Sequence, residues 1–165
     1  MNDLHYHKSL ATLHEGCKEP HAYFVPYQTE EAARGDNREK SDRFVSLCGE
    51  WSFRWFPSER ELGDFLSADF DAGEWDKLTV PMSWQFKLDK PYDKPQYTNV
   101  LYPFPVDPPH VPNENPCGLY MRTVNVDKEA LEKYDLRLCF EGVDSCFYLY
   151  VNGQFAGYTE DSKVA

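Results

Sequence analysis

Two asparagines and a tyrosine near the middle of the chain have side chains suited to binding a polar ligand. Asn99, Tyr102 and Asn113 lie in the proline-rich stretch Tyr97–Tyr120. An amide offers donors and an acceptor together, so it matches a partner that also does both. Proline fixes its own φ and drives the preceding residue into extended geometry, which disfavours a helix or a central strand. The stretch therefore predicts a long, stiff loop on a rigid scaffold, where binding groups tend to lie.

Carboxylates near this stretch and near the C-terminal end of the chain are further candidates. Asp161 follows the last predicted strand, and a carboxylate is a natural ligand for an alkali or alkaline-earth cation. The same residue would also suit a turn. Asp93 and Glu114 lie close in sequence to the loop, but a solvated surface position is expected for each. Asn99 has an alternative role of its own, since asparagine in a turn often bonds to nearby backbone.

Aromatic and histidine side chains are further candidates, and each has a commoner structural role. Trp84 and Tyr102 have rings that could stack on a ligand, although packing inside the protein is the commoner use of such residues. His5, His7 and His14 lie near the N-terminus without a carboxylate or cysteine at typical ligand spacing. A metal site is therefore not expected from these three histidines.

The elements that must position these groups are short β-strands. Asn152-Gly153 sits between two apolar runs and predicts a tight hairpin, because both turn positions need positive φ. Alternating apolar residues predict further strands, and Trp51, Phe53 and Trp55 are expected to share one face. The predicted strands lie at 43–48 and 51–56 around a turn at Gly49-Glu50, and at 77–81, 119–126 and 135–142. Many short strands with frequent turn signals are typical of a β-sandwich or jelly roll.

Helix and arm are minor parts of the predicted architecture. Ser58, with Glu61 three residues later, has the pattern of a capping box and predicts one short helix over 58–66. Residues 1–40 predict an extended arm whose aromatic residues dock on the body, followed by a charged, solvated linker. Residues 41–165 would then form the domain itself.

Composition disfavours several classes of function. The net charge of −11 disfavours nucleic acids and anionic membranes as partners. No apolar run approaches the length of a membrane span, and the first ten residues lack the apolar core of a signal peptide. Five scattered cysteines without a Cys-x-x-Cys motif predict free thiols and a cytoplasmic protein, with a Cys139–Cys146 disulfide as the less favoured alternative.

A series of short motifs runs through nearly the whole chain in an order seen in one enzyme family. They are His21-Ala22-Tyr23-Phe24 with Pro26-Tyr27, Gly49-Glu50-Trp51 with Phe53, Val80-Pro81, Ser83-Trp84-Gln85, Tyr97-Thr98-Asn99-Val100, Tyr102-Pro103, Pro108-Pro109, Val111-Pro112, Glu114-Asn115-Pro116, Gly118 with Tyr120, Gly142-Val143, Asn152-Gly153, Gly157-Tyr158 and Asp161-Ser162. In these motifs the chain resembles glycoside hydrolase family 2, most closely its large bacterial β-galactosidases. The resemblance implies an all-β, galactose-binding-like jelly roll, the N-terminal sugar-binding domain of a multidomain enzyme.

The resemblance also implies roles for particular residues. Asn99, on a loop that reaches a neighbouring active site, would hydrogen-bond the galactosyl unit, and Asp161 would contact the sugar and a bound sodium ion. The two catalytic glutamates of a retaining mechanism would lie on a TIM barrel outside these residues, as would the ligands of any magnesium ion. The 165 residues alone are therefore expected to be inactive, and the full enzyme is expected to be a homo-oligomer.

Three alternatives stay open at this point. The chain would also suit a free, lectin-like carbohydrate-binding module, or a structural module whose arm at 1–40 organises an oligomer. Another activity of the same family, such as that of a β-glucuronidase, would fit the same motifs. Further strands of the jelly roll are expected after Ala165, so the domain is expected to be incomplete at its C-terminal end.

Overall fold

The chain folds mainly into antiparallel β-structure. The computed structural model describes residues 5–67, 70, 73–97 and 99–160. Its strands and helices, in chain order, are β1 (His14–Glu15), α1 (Glu30–Arg34), β2 (Gly49–Phe56), β3 (Asp76–Val80), β4 (Cys117–Met121), α2 (Lys128–Lys133), β5 (Phe147–Val151) and β6 (Gln154–Thr159). They form two three-stranded sheets, in the orders β1-β6-β5 and β3-β2-β4. The all-β prediction is confirmed, and no helix in these described ranges is long and apolar enough to cross a membrane.

The hairpin of β5 and β6 forms where the Asn-Gly pair predicts it. Asn152 and Gly153 have φ values of +51° and +76°, the left-handed geometry that a tight hairpin turn requires. The two strands pair from Phe147 opposite Thr159 to Val151 opposite Gln154, with an irregularity after Leu149. Local turn chemistry was sufficient to specify this element.

Strand β2 is the centre of the other sheet. It pairs with β3 over residues 49–53 and with β4 over residues 52–56, so Phe53 has a strand on either side. Phe53 and Leu78 are fully buried. Phe53 and Trp55 both contact the ring of Tyr92, which agrees with the predicted alternation of faces.

Two predicted strands are absent from the structure. Residues 43–48 lie outside regular structure, and Gly49-Glu50 begins β2 instead of forming a turn. Strands β3 and β4, which are distant in sequence, pair with β2 instead of residues 43–48. Residues 135–142 pair with no strand in the described part of the chain, and Leu136 is half exposed. An alternating pattern makes a strand only where another strand supplies backbone hydrogen bonds.

The predictions at 58–66 and 119–126 were too long. The Ser58 hydroxyl accepts from the backbone N–H of Arg60 at 3.3 Å, which caps a single 3₁₀ turn at Glu59–Glu61 in place of the longer helix. Strand β4 ends at Met121. The next residue, Arg122, directs its guanidinium to the carbonyl oxygens of Leu47 and Cys48.

The N-terminal arm docks on the body through fewer residues than predicted. Tyr6 packs against three rings of the β5-β6 hairpin, and β1 adds to the edge of β6. Tyr23 and Phe24 stay largely exposed. Part of the expected linker is helical, because the Thr29 hydroxyl caps α1 by accepting from the N–H of Ala32. The boundary between residues 40 and 41 stays a prediction.

Candidate functional site: an anchored finger loop

A long loop, residues 97–116, lies between β3 and β4, and we call it the finger loop. Apart from Thr98, which lies outside the described residues, it contains no helix or strand, as the prolines predict. Asn99 is exposed on it. Its apolar side chains at Tyr97, Val100, Leu101, Tyr102 and Val106 are 60–82% exposed. Exposed apolar groups clustered in this way mark a surface for binding another molecule or domain.

An aromatic cluster packs beneath the start of the finger loop. The ring of Phe53 in β2 contacts those of Trp84, Tyr92 and Tyr120, with centroids 5.9, 5.3 and 4.7 Å away. Offset and edge-on ring pairs at such distances are favourable beyond the area they bury. Trp84 is half-buried, so it packs inside the protein, the commoner use of such a residue. This packing fixes the chain before residue 97.

Asp93 ties this cluster together by hydrogen bonds. Its Oδ2 accepts from the indole Nε1 of Trp55 and from that of Trp84, both at 3.2 Å. The expectation that Asp93 lies on the surface in solvent was wrong. It is only partly exposed, and its carboxylate binds indoles from two separate elements. Glu114 is exposed, as predicted.

A second carboxylate, Asp76 in β3, holds the segment just before the finger loop. It accepts hydrogen bonds from the ammonium of Lys90 and the hydroxyl of Tyr92. The Lys90 hydrogen bond, helped by that of Tyr92, lowers the pKa of Asp76. Burial and the same carboxylate raise the pKa of Tyr92, so its hydroxyl remains a donor.

The far end of the finger loop returns to the same cluster. It runs into β4, where Gly118 lies directly against the Phe53 ring. A Cβ atom at Gly118 would be 2.5 Å from Cε2 of Phe53 and 3.1 Å from Cζ3 of Trp84. Both ends of the finger loop are therefore fixed on one packed base, and its tip is left exposed.

The second sequence-predicted site residue, Asp161, lies outside the described residues. The residues just before it are well packed. Tyr158 in β6 is 1% exposed, and its hydroxyl donates to Oε2 of Glu160 at 2.6 Å. Burial, together with this hydrogen bond, raises the pKa of Tyr158. The role of Asp161 therefore stays a prediction.

A third group of polar residues joins the arm to the body. Nε2 of His7 lies 3.0 Å from Oε2 of Glu59, and Nδ1 of His7 lies 2.8 Å from the hydroxyl of Tyr148. The ligand atoms of His5, His7 and Glu59 all lie within 4.8 Å of one another. The expectation that no carboxylate accompanies these histidines was wrong, since Glu59 is brought in by the fold. His14 lies elsewhere, with Nδ1 2.8 Å from the hydroxyl of Thr159.

In this group, burial and the neighbouring charged side chains shift the pKa values of His7 and Glu59. Burial lowers the pKa of His7, and the nearby charge of Glu59 opposes that change. Burial also disfavours the charged form of Glu59, but the Lys8 hydrogen bond and the neighbouring His7 outweigh it and lower the pKa of Glu59. The surroundings thus favour the ionised form of the Glu59 carboxylate, whereas burial disfavours the protonated form of the His7 imidazole.

The fold and the finger loop match a known class of domain. The profile of the family described as "Glycosyl hydrolases family 2, sugar binding domain" matches residues 44–165. The chain therefore belongs to glycosyl hydrolase family 2, as the motifs predict, and those residues form its sugar-binding domain.

Two curated relatives of the chain are both β-galactosidases. The β-galactosidase of Actinobacillus pleuropneumoniae is 44% identical over 158 residues, which cover 95% of this chain and 15% of that protein. The β-galactosidase of Kluyveromyces lactis is 43% identical over 123 residues, which cover 74% of this chain and 12% of that protein. The chain thus spans a small part of the length of each. Neither a free lectin-like module nor another activity of the family is favoured by these relatives.

All five cysteines are free thiols in the structure. Cys117 and Cys146 are partly buried, and burial raises the pKa of both, to about 11 for Cys117. Their thiols are therefore protonated near neutral pH and poor nucleophiles. The less favoured Cys139–Cys146 disulfide is not formed.

Proposed function

We propose that this chain is the N-terminal part of a β-galactosidase, which hydrolyses terminal non-reducing β-D-galactose residues with retention of configuration. The finger loop carries this proposal, because a fixed base and an exposed tip suit a loop that completes a pocket on a neighbouring domain. The similarity to two β-galactosidases supports the choice of substrate. In this arrangement Asn99 hydrogen-bonds the galactosyl unit through an amide that both donates and accepts.

The exposed apolar surface of the finger loop supports a neighbouring domain as its partner. A chain of 19.3 kDa is expected to expose about 8,500 Å² when it is folded as a monomer. This chain exposes 13007 Å². The proposed partner is a TIM barrel that supplies the two catalytic glutamates and covers part of this surface, within a homo-oligomeric cytoplasmic enzyme.

A cation site forms part of the same proposal. Asp161 would contact the galactosyl unit and help to hold a sodium ion, for which a carboxylate oxygen is a suitable ligand. Bound there, the ion would orient a sugar hydroxyl. Magnesium, if the enzyme uses it, would be held by residues outside this chain.

Replacing Asn99 with alanine tests the role of the finger loop. In the protein expressed from its complete coding sequence, Asn99→Ala is expected to lower kcat/KM for a chromogenic β-galactoside by about tenfold. That is the effect of losing one net hydrogen bond of about 1.4 kcal/mol to the sugar. Initial rates over a range of substrate concentrations measure it.

Asn113→Ala is the matched control, because Asn113 is an exposed asparagine on the same loop and the family motifs assign it no sugar contact. It is expected to leave kcat/KM within a factor of two. Equal losses in both variants would mean that the loop is sensitive to any change, and no loss in Asn99→Ala would remove Asn99 from the site.

The isolated chain provides a second test. Residues 1–165 alone are expected to show no turnover of a β-galactoside, because retaining hydrolysis needs two carboxyl groups about 5–5.5 Å apart on either side of the bond. A continuous assay with the purified chain, and with the complete protein as positive control, measures this. Turnover by the chain alone would contradict the proposal that the catalytic carboxylates lie elsewhere.

A further inference from the structure

We propose that His5, His7 and Glu59 form a binding site for one transition-metal ion of the Zn²⁺ class, which fastens the N-terminal arm to the body of the domain. The site shares no residue with the finger loop or with the pair assigned to the sugar, Asn99 and Asp161. It would join His5 and His7 of the arm to the 3₁₀ turn at Glu59–Glu61, which follows β2.

The spacing of the three side chains is close to that of a metal site. Zinc binds imidazole nitrogen and carboxylate oxygen at about 2.0–2.2 Å, so tetrahedral ligand atoms lie about 3.3 Å apart. Nε2 of His7 and Oε2 of Glu59 are already 3.0 Å apart. The ligand atom of His5 lies within 4.8 Å of both, and a shift of its ring by about 1.5 Å would complete the set.

His7 is oriented as metal-binding histidines usually are. Its Nδ1 lies 2.8 Å from the hydroxyl of Tyr148, and its backbone N–H donates to the same oxygen at 3.2 Å. Without a metal, the 3.0 Å contact between Nε2 and Oε2 of Glu59 needs a proton on Nε2. A bound cation would replace that proton, and Nδ1–H would then donate to the Tyr148 hydroxyl. A partner on the second ring nitrogen of this kind fixes the tautomer and supports binding. Tyr148 is itself held by stacking on the ring of Tyr6.

Glu59 is likewise held by a second contact. Its Oε1 accepts a hydrogen bond from the ammonium of Lys8, which leaves Oε2 as the oxygen nearest to His7. The metal would therefore bind the carboxylate through one oxygen. Lys8 orients that carboxylate, but its positive charge also repels a divalent cation, so it should weaken the site.

The ligand set selects the kind of ion. Two imidazoles and one carboxylate suit Zn²⁺, Co²⁺ or Ni²⁺, whereas Mg²⁺ prefers oxygen ligands alone. His5 is exposed and His7 is half-buried, so an ion can enter from solvent on the His5 side and keep water as its fourth ligand. The ligands thus predict a metal ion of borderline softness, such as Zn²⁺, in a solvent-accessible site formed by three residues.

The test measures metal content and affinity in the complete protein, purified without a polyhistidine tag. After dialysis against Zn²⁺ with excess Mg²⁺ present, His5→Ala and Glu59→Gln are expected to hold one equivalent of zinc less than the wild type. Titration should show the affinity of that one site reduced by at least 100-fold in each variant. Co²⁺ in place of Zn²⁺ should give visible absorption that the same variants lose.

Further variants separate metal binding from simple destabilisation of the arm. His21→Ala removes another histidine of the arm, whose ring contacts Ala22 and Phe24, and it should retain the full equivalent. Tyr148→Phe should weaken binding by about 10–100-fold. Lys8→Met should tighten it, because a repelling charge is removed. A general loss of arm structure would instead weaken binding in all of these variants.

Two results would overturn the proposal. One is a wild type that binds no more zinc than His5→Ala and Glu59→Gln. The other is an equal loss of zinc in His21→Ala, which would indicate nonspecific binding by surface histidines. Activity on a β-galactoside is measured alongside, and a failure of the zinc test with normal turnover would leave the proposed function unaffected.

Discussion

Replacing Phe53 with alanine is expected to lower the free energy of unfolding of the chain by about 3–5 kcal/mol. Phe53 is fully buried in the central strand β2, and its ring contacts three other aromatic rings. The change removes most of that apolar contact and leaves a cavity that rigid neighbours fill poorly. Few other apolar side chains among the described residues are as deeply buried, so the loss is large relative to the 5–15 kcal/mol of a typical domain.

Urea unfolding followed by tryptophan fluorescence measures this effect, since Trp84 lies against Phe53. Phe86→Ala is the matched control, because Phe86 is 65% exposed only two residues after Trp84. It is expected to change the stability by no more than about 0.5 kcal/mol. Equal effects of the two substitutions would mean that Phe53 is not the centre of the packed core.

Replacing Gly118 with valine is the second large effect, with an expected loss of about 3 kcal/mol from overpacking. The added Cβ would lie 2.5 Å from the ring of Phe53, and the methyl groups would approach Trp84 as well. These rings also anchor the start of the finger loop. In the complete protein, kcat/KM for a β-galactoside is therefore expected to fall together with the melting temperature.

A double-mutant cycle tests the cause of that loss. Phe53→Leu removes Cε2 and Cζ, the ring atoms nearest to the added Cβ. Gly118→Val should therefore cost at least 1 kcal/mol less in a Phe53→Leu background than in the wild type, the coupling expected of side chains in contact. Additive effects would place the clash elsewhere, with the Trp84 ring as the remaining contact.

The site was predicted from sequence only in part, and particular residues show why. The prolines of the finger loop act on their own backbone, so the lack of helix and strand in its described residues could be read from the sequence. Asp93 was expected at the surface, because nothing nearby in sequence indicates that two indoles converge on it. Glu59 was missed as a companion of His5 and His7 for the same reason.

The same distinction holds for the fold. By itself, the sequence determined the Asn152-Gly153 hairpin, the apolar face of β2 and the membership of glycosyl hydrolase family 2, because turn geometry, side-chain alternation and short motifs are local properties. Only the tertiary structure decided that 43–48 and 135–142 are not strands, since a strand needs hydrogen bonds from a distant partner. It likewise decided that both ends of the finger loop meet on Phe53 and that the arm brings two histidines to Glu59. Such contacts depend on which surfaces pack together, and no single stretch of sequence carries that information.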